Sequence, residues 1–304
     1  MNNIALYPLE SWVQYTSFLQ IAQYHKEQED KLHWYSPINH YFYDKVYAAS
    51  LFTFTPKTYV RKDMICGGTG FDLTTKLSYE IEKCGYDYSI YPQCSKSFMR
   101  WSYGCPNRCG FCCVHKKEGN IRPVEPKNLN PNGVLISVLD NHPFANPEWK
   151  QMIKDLVSYN QPVDFSSGIR VQDFNEEQGK ALQQLKLRYL HIAWDNPNEN
   201  IIPQAKELLK FIPKYKVRCY TLIGDPWSTP EEDQMRVDRL DEIDVLPFVM
   251  PFNKHDPYQK AFTRYINYLK VARITHKISF KDYCERFKLT FALSTQQETR
   301  SEKQ

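Results

Sequence analysis

The chain has 304 residues, of which 42% are hydrophobic and 24% charged, a composition that suits one large globular core or two smaller ones. Its formal net charge of +4 permits an anionic partner such as a nucleic acid but does not require one. The stretch MNNIALYPLESW has no basic region followed by an apolar one, and no apolar run approaches the ~20 residues that span a bilayer. We therefore expect a cytoplasmic protein without a membrane partner.

The first 95 residues have the pattern of a small α/β domain. A helical pattern is followed by three short strand patterns, at 11–28, 31–36, 45–53 and 63–68. The last strand leads into the glycine-rich stretch ICGGTGFD (65–72), which could form a loop for a nucleotide phosphate or a tight turn. It lacks both G-x-G-x-x-G and the P-loop lysine, which favours the turn.

Residues 96–285 alternate short apolar runs with longer amphipathic ones, a rhythm that predicts strands joined by helices in a parallel sheet. The predicted strands cover 97–103, 133–140, 163–169, 188–195, 216–224 and 245–250. The predicted helices cover 147–159, 176–186, 203–212, 230–243 and 258–272. About six such units are fewer than the eight of a closed barrel. We predict a partial (β/α)6 TIM-like barrel, followed by a polar tail over 286–304.

Four cysteines crowd the stretch GCPNRCGFCCVH, directly after the first predicted barrel strand. Cys105, Cys109 and Cys112 have the spacing C-x3-C-x2-C, so their thiolates can hold one compact inorganic centre. A structural zinc site with His115 as fourth ligand is one interpretation, and an iron–sulfur cluster is the other. Cofactors of barrel enzymes lie at the carboxyl ends of the strands, which favours the cluster. Cys113 is interpreted as a packing residue.

The stretch RWSYGCPNRCGFCCVHKKEG resembles the radical S-adenosylmethionine (radical SAM) enzymes, whose signature is C-x3-C-x-aromatic-C, with Phe111 as the aromatic residue. The resemblance extends over roughly residues 95–275, and that superfamily uses a partial (β/α)6 barrel. Residues 1–95 more loosely resemble the Rossmann-like, cobalamin-binding-type domain of one branch. That branch often carries D-x-H-x-x-G, which is absent here, and this counts against cobalamin.

The resemblance implies that Cys105, Cys109 and Cys112 bind three irons of a [4Fe–4S] cluster, while the fourth iron binds S-adenosylmethionine. An electron from a donor such as flavodoxin or ferredoxin then breaks the C5′–S bond, and the 5′-deoxyadenosyl radical abstracts hydrogen from a substrate. The substrate is not identified, and nucleic acid is one of the open classes. The alternatives are a zinc- or iron–sulfur-binding module that contacts nucleic acid without catalysis, and an iron–sulfur electron carrier.

Polar residues that follow the predicted strands are candidates for cofactor contacts. By resemblance, Asp140 and Asn141 bind the methionine ammonium group, although the same pair suits an Asx turn or helix cap. Ser166 and Arg170 lie in the region that contacts the ribose hydroxyls and the methionine carboxylate in similar enzymes. Arginine suits a carboxylate because its fork binds both oxygens, and a surface salt bridge is the alternative for Arg170.

The fourth and fifth predicted strands end in two further candidates. Asp195 could bind the ribose or the substrate, or it could cap the next helix. Gly224 would let the backbone approach adenine closely. The following Thr229 and Pro230, with Glu232 three residues after the threonine, predict a helix start rather than a chemical site.

Overall fold

The computed structural model describes residues 1–269 and 278–289. The chain divides into two compact units, Met1–Ser167 and Gly168–Gln304. Within the described residues no helix combines the length and apolar character that crossing a membrane requires. The predicted tail over 286–304 and the end of the helix predicted over 258–272 lie largely outside the described residues. The predicted domain boundary after residue 95 stays a prediction.

The N-terminal part of the first unit is a four-stranded parallel sheet with the strand order β2-β1-β3-β4. Its elements are β1 (Asn3–Pro8), α1 (Thr16–Glu27), β2 (Lys31–Trp34), β3 (Lys45–Ala49), β4 (Ile65–Gly67) and α2 (Tyr79–Glu82). The chain crosses from β1 through α1 to β2 and then returns to the other side of β1, which is the doubly wound, Rossmann-like arrangement. The predicted helix and three strands are present, and the central strand β1 was missed.

Helix α1 covers one face of this sheet. Its Phe18 and Ile21 pack with Ile4 and Leu6 of β1 and with Tyr47 of β3. Strand residues one position apart point to opposite faces, so Ala5 belongs to a separate cluster on the other face. Both faces of β1 are therefore buried, which is the pattern of a central parallel strand.

The glycine-rich stretch after β4 forms a tight turn against the end of β3. Gly68 has φ of 94°, and a Cβ at this position would lie 2.3 Å from the Ser50 carbonyl oxygen, so only glycine fits. The Gly70 N–H donates to the same carbonyl at 2.9 Å. The turn closely covers the carboxyl end of β3, as the turn interpretation predicts.

A buried carboxylate, Glu10, closes the same edge of the sheet. It accepts hydrogen bonds from the hydroxyls of Tyr15, Thr55 and Ser50 and from the Leu51 N–H. Burial by itself raises the pKa of Glu10, but these hydrogen bonds outweigh burial and lower the pKa from its ordinary value of 4.5 to about 2. The ionised side chain thus ties the loop after β1 to the loop after β3.

Replacing Glu10 with glutamine is expected to destabilise the protein at neutral pH. Because the folded-state pKa is depressed, ionised Glu10 contributes stability above about pH 4.5, and this contribution is lost as the pH falls towards 2. Urea unfolding of both proteins across this pH range should show a difference that shrinks with acidification. Glu29→Gln, at an exposed position, serves as the control. A difference that stays constant with pH would contradict the assignment.

The larger sheet has six strands in the order β12-β11-β10-β9-β8-β5, so each strand neighbours the one before it in the chain apart from the short pair β6 and β7. The strands are β5 (Lys96–Met99), β8 (Leu135–Val138), β9 (Pro162–Ile169), β10 (Lys186–Ala193), β11 (Val217–Ile223) and β12 (Leu246–Pro251). This sequential order is typical of a barrel that is wound in one direction. The predicted partial (β/α)6 arrangement is confirmed.

A helix follows each of these strands. They are α3 (Val114–Lys117), α4 (Trp149–Tyr159), α5 (Glu176–Gln183), α6 (Ile202–Leu208), α7 (Pro230–Asp241) and α8 (Pro257–Tyr268), and α9 (Phe280–Arg286) comes last. The predicted start of α7 is confirmed, because Thr229 and Glu232 form a capping box there.

The first predicted strand is shorter than expected, and its last two residues belong to the separate strand β6 (Ser102–Tyr103), which pairs antiparallel with β7 (Arg122–Pro123).

Candidate functional site

The cysteine motif lies in a loop whose two ends are joined by the β6–β7 pair. Gly104 begins this loop with φ of 79°, and a Cβ there would lie 2.2 Å from the Asn120 carbonyl oxygen. No larger residue fits directly before Cys105. The two strands and this glycine therefore hold the beginning and the end of the loop together.

The three predicted ligands are neither buried nor fully exposed. Backbone hydrogen bonds shape the loop between them. The Cys105 N–H donates to the Gly119 carbonyl at 3.3 Å, and the Cys112 N–H donates to the Cys109 carbonyl at 3.0 Å. The Val114 N–H, at the start of α3, points to the Cys112 sulfur at 3.5 Å.

The donor set of the loop consists of Cys105, Cys109 and Cys112. A structural zinc ion needs four side chains around one atom, whereas a catalytic one takes three and a water. In the described part of the chain no three His, Cys, Asp or Glu side chains are grouped so as to hold a single ion. A four-iron cluster instead takes each thiolate on a different iron, and cysteine is its usual ligand. Phe111 and Cys113 of the same loop are exposed.

Glu118, which the sequence analysis missed, connects the cysteine loop to the ends of β5 and β8. Its Oε2 accepts from the Gly104 N–H at 2.8 Å and from the Asn141 amide at 2.7 Å. The same oxygen lies 3.2 Å from the Arg100 guanidinium. One carboxylate thus orients the residue before Cys105 and a side chain at the end of the neighbouring strand.

Replacing Glu118 with alanine is expected to lower the free energy of unfolding by about 1.5–3 kcal/mol, because hydrogen bonds to a charged acceptor are lost. A metal centre held by the three cysteines should also be lost faster when a chelator is added. Urea unfolding and the rate of iron loss measure the two effects. Glu125→Ala, at an exposed position a few residues later, is the matched control, and equal behaviour of the two variants would refute the role of Glu118.

The candidates Asp140 and Asn141 have different environments. Asp140 is buried, and its two oxygens accept from the Trp101 N–H at 3.0 Å and the Ser102 hydroxyl at 2.5 Å. Burial raises the pKa of Asp140, although these hydrogen bonds oppose the shift. Asp140 therefore holds the end of β5 in place, and the next α-helix, α4, has Glu148 as its N-cap residue, without a side-chain cap hydrogen bond. Asn141 is only half-buried, and its amide nitrogen donates to Glu118.

Ser166 lies in β9, next to β8. Its hydroxyl is 2.7 Å from the Ser137 hydroxyl, and Ser137 pairs in register with Asp164, two positions before Ser166. The two serines thus form a short hydroxyl pair across adjacent strands of the first unit. The predicted contact of Ser166 with a ribose stays a prediction.

In the second unit, Arg170 follows β9 and is half-exposed. Its guanidinium lies 3.0 Å from the Asp173 carboxylate and 3.9 Å from the Glu199 carboxylate. Exposed pairs of this kind contribute little stability, so they leave the guanidinium able to exchange partners. The predicted binding of a carboxylate by Arg170 stays a prediction beside these ion pairs.

Asp195 and Gly224 follow β10 and β11. The Asp195 carboxylate accepts from the Leu222 N–H at 3.2 Å and does not cap α6. Burial raises the pKa of Asp195, and the hydrogen bond opposes the shift. Gly224 has φ of 90°, and a Cβ there would lie 2.1 Å from the Gln259 side chain. Gln259 therefore already occupies the space that the glycine leaves.

The fully buried Arg236 of α7 is a second residue that the sequence analysis missed. Its guanidinium donates to the Trp194 carbonyl at 2.8 Å, the Leu222 carbonyl at 2.9 Å and the Asp233 carboxylate at 2.6 Å. It also lies 3.3 Å from the Asp195 carbonyl. Arg236 thereby fixes the carboxyl ends of β10 and β11, where the candidate Asp195 lies.

Comparisons with known proteins agree with the motif and the fold. No protein-family model matches the sequence. A curated relative is the ribosomal protein uS12 methylthiotransferase RimO of Thermodesulfovibrio yellowstonii, which is 23% identical over 195 residues. The match covers 52% of this chain and 44% of that protein, so the chain spans less than half the length of this relative.

A similar solved structure is the radical S-adenosylmethionine methyltransferase TsrM from Kitasatospora setae, with cobalamin and a [4Fe–4S] cluster bound. The TM-score is 0.61 at 10% sequence identity, over 82% of this chain and 75% of that one. The chain is related to the radical SAM superfamily. The likeness to TsrM shows the fold, and the radical SAM relationship suggested by the three cysteines is confirmed.

Proposed function

We propose that this chain is a radical SAM enzyme in which Cys105, Cys109 and Cys112 bind a [4Fe–4S] cluster and S-adenosylmethionine is cleaved reductively. The observation that carries this conclusion is the position of the C-x3-C-x-aromatic-C loop, directly after the first strand of a sequentially wound, six-stranded parallel sheet. When bound, the cluster supplies the electron that breaks the C5′–S bond and yields methionine and the 5′-deoxyadenosyl radical. That electron comes from an external donor such as flavodoxin or ferredoxin.

The loop and its supports orient the reactants in this proposal. Glu118 fixes Gly104, so the ligand Cys105 starts from a defined backbone position. Glu118 also takes the amide nitrogen of Asn141, which leaves the Asn141 carbonyl oxygen as the acceptor for the methionine ammonium group. Asp140 is assigned no cofactor contact, because both of its oxygens hold the end of β5.

Cobalamin is not part of the proposed function. TsrM was solved with cobalamin, but the D-x-H-x-x-G motif that the related branch often carries is absent from this sequence. The proposal therefore assigns no residue of this chain to cobalt.

Anaerobic reconstitution tests the proposed function. The protein is incubated with iron and sulfide, and Mössbauer spectroscopy then identifies the cluster type. After reduction with dithionite, S-adenosylmethionine is added and 5′-deoxyadenosine is measured by chromatography. We expect a [4Fe–4S] spectrum, a change in the EPR signal when S-adenosylmethionine binds, and formation of 5′-deoxyadenosine. A colourless protein that holds one zinc ion and leaves S-adenosylmethionine intact would overturn the proposal.

A further inference from the structure

The N-terminal sheet has a cavity that the proposed chemistry does not use. It has a volume of about 490 Å³, within the range of pockets that hold small molecules. Tyr7 and Pro8, at the end of β1, and Trp34, at the end of β2, line it. Ligands of open parallel α/β sheets bind outside the carboxyl ends of the strands, and this cavity lies at such a position.

Two pairs of aromatic rings form much of the wall. The rings of Tyr7 and Tyr35 are 4.8 Å apart, and those of Trp34 and Tyr91 are 5.6 Å apart. Trp34 and Tyr35 are consecutive, so they extend towards opposite faces of the sheet, and the two pairs flank its edge. Rings in contact with one another leave no space for a ligand inside a pair. A ligand would lie against their outer faces, which favours a flat molecule.

The polar groups in the wall are neutral. Among the described residues that line the cavity, none is Lys, Arg, Asp or Glu. Burial raises the pKa of Tyr91 to about 12, so this phenol is uncharged and accepts a hydrogen bond from the Tyr15 N–H at 3.2 Å. An anionic ligand would lose its hydration here without a cationic partner, which is costly, and the faces of the rings are themselves electron-rich. The lining therefore selects against anions.

Gln14 supplies a directional contact. The buried Cys94 thiol lies 3.4 Å from the Gln14 side-chain oxygen and 3.4 Å from the Lys96 carbonyl oxygen, so these two acceptors share its one proton. In the part of the chain that the structure describes, the Gln14 amide nitrogen donates no hydrogen bond. An amide N–H beside an aromatic wall is suited to a ring carbonyl or ring nitrogen of a ligand.

We propose that this cavity, lined by Tyr7, Gln14, Trp34, Tyr35 and Tyr91, is a binding site for an uncharged, planar heteroaromatic small molecule. It would give the N-terminal sheet a ligand of its own. The inference does not depend on the proposed function, because none of the lining residues belongs to the cysteine loop.

Lumichrome, an uncharged fluorescent tricyclic with ring carbonyls, is the probe. Its emission is titrated with the full chain, with saturating S-adenosylmethionine present so that the cofactor site is occupied. We expect quenching that saturates at one site. Naphthalene-2-sulfonate, which is flat but anionic, should not compete. Competition by this anion, or quenching that does not saturate, would overturn the assignment.

Variants locate the site. Trp34→Leu should weaken lumichrome binding about tenfold, which corresponds to ~1.4 kcal/mol and is typical of a lost stacking contact. Trp12→Leu is the matched control, since Trp12 is 75% exposed and does not line the cavity. Equal affinities of these two variants would refute the site.

Gln14→Leu provides a second test that does not depend on the tryptophan variant. It should weaken lumichrome binding several-fold and leave the binding of naphthalene, which has no acceptor, unchanged. An equal effect on both probes would show that Gln14 donates no hydrogen bond to the ligand. Cys109→Ala protein should bind lumichrome normally, so failure of this site and failure of the proposed function can be distinguished.

Discussion

Cys109→Ala protein is expected to lack a stable four-iron cluster after anaerobic reconstitution and to leave S-adenosylmethionine uncleaved. Removal of one thiolate leaves Cys105 and Cys112 as the cysteine ligands of the proposed cluster. The Cys109 carbonyl, which accepts the Cys112 N–H at 3.0 Å, is unaffected by the substitution, so the turn of the loop is retained. Iron and sulfide content and the yield of 5′-deoxyadenosine measure the result, and both should fall to background.

Two variants in the same loop serve as controls. Cys113→Ala changes an exposed thiol directly beside the proposed ligands and should retain both the cluster and the cleavage. His115→Ala removes the fourth ligand that the zinc interpretation requires, and it should also retain both. The ligand assignment fails if Cys109→Ala protein keeps its iron, or if Cys113→Ala protein loses as much. Loss of metal in His115→Ala protein would favour zinc.

Elements whose signals lie within a few consecutive residues could be predicted from the sequence. Helix α4 buries Met152, Ile153 and Leu156, which recur at helical spacing. The start of α7 could be predicted from the four consecutive residues Thr229 to Glu232, which form its capping box. Strand β1 was missed because it is a six-residue run near the start of the chain, without the alternation of a half-buried strand. Burial on both faces, which only the neighbouring strands reveal, removes that alternation.

The candidate site shows the same division between local and distant signals. The cysteine motif is visible because its residues lie within one short loop. Glu118 was missed because its partners Arg100 and Asn141 lie 18 and 23 positions away in the chain. Arg236 likewise donates to the Trp194 carbonyl, which lies 42 positions earlier in the chain. A weak local signal existed for Arg236, since it shares a helical face with Asp233 and with the buried Leu240.

Arg236→Met protein is expected to lose about 3–5 kcal/mol of unfolding free energy, the usual effect of removing one partner of a buried ion pair. The substitution leaves the Asp233 carboxylate buried without its cation and leaves the carbonyls of Trp194 and Leu222 without their donor. Methionine fills much of the same volume, so the loss reports the polar contacts rather than a cavity. Urea unfolding monitored by circular dichroism measures it, with both proteins prepared identically and without added S-adenosylmethionine.

Arg239→Met is the matched control, because it makes the same substitution one helical turn later in α7, where the side chain is only half-buried. It should change the free energy of unfolding by less than about 1 kcal/mol. The double variant Asp233→Leu/Arg236→Met removes both charges, so its loss should be smaller than the sum of the two single losses. If Arg236→Met and Arg239→Met proteins are equally stable, the buried guanidinium does not hold the ends of β10 and β11 together. Additive losses in the double variant would show instead that Arg236 acts through the carbonyls alone and that its pairing with Asp233 contributes nothing.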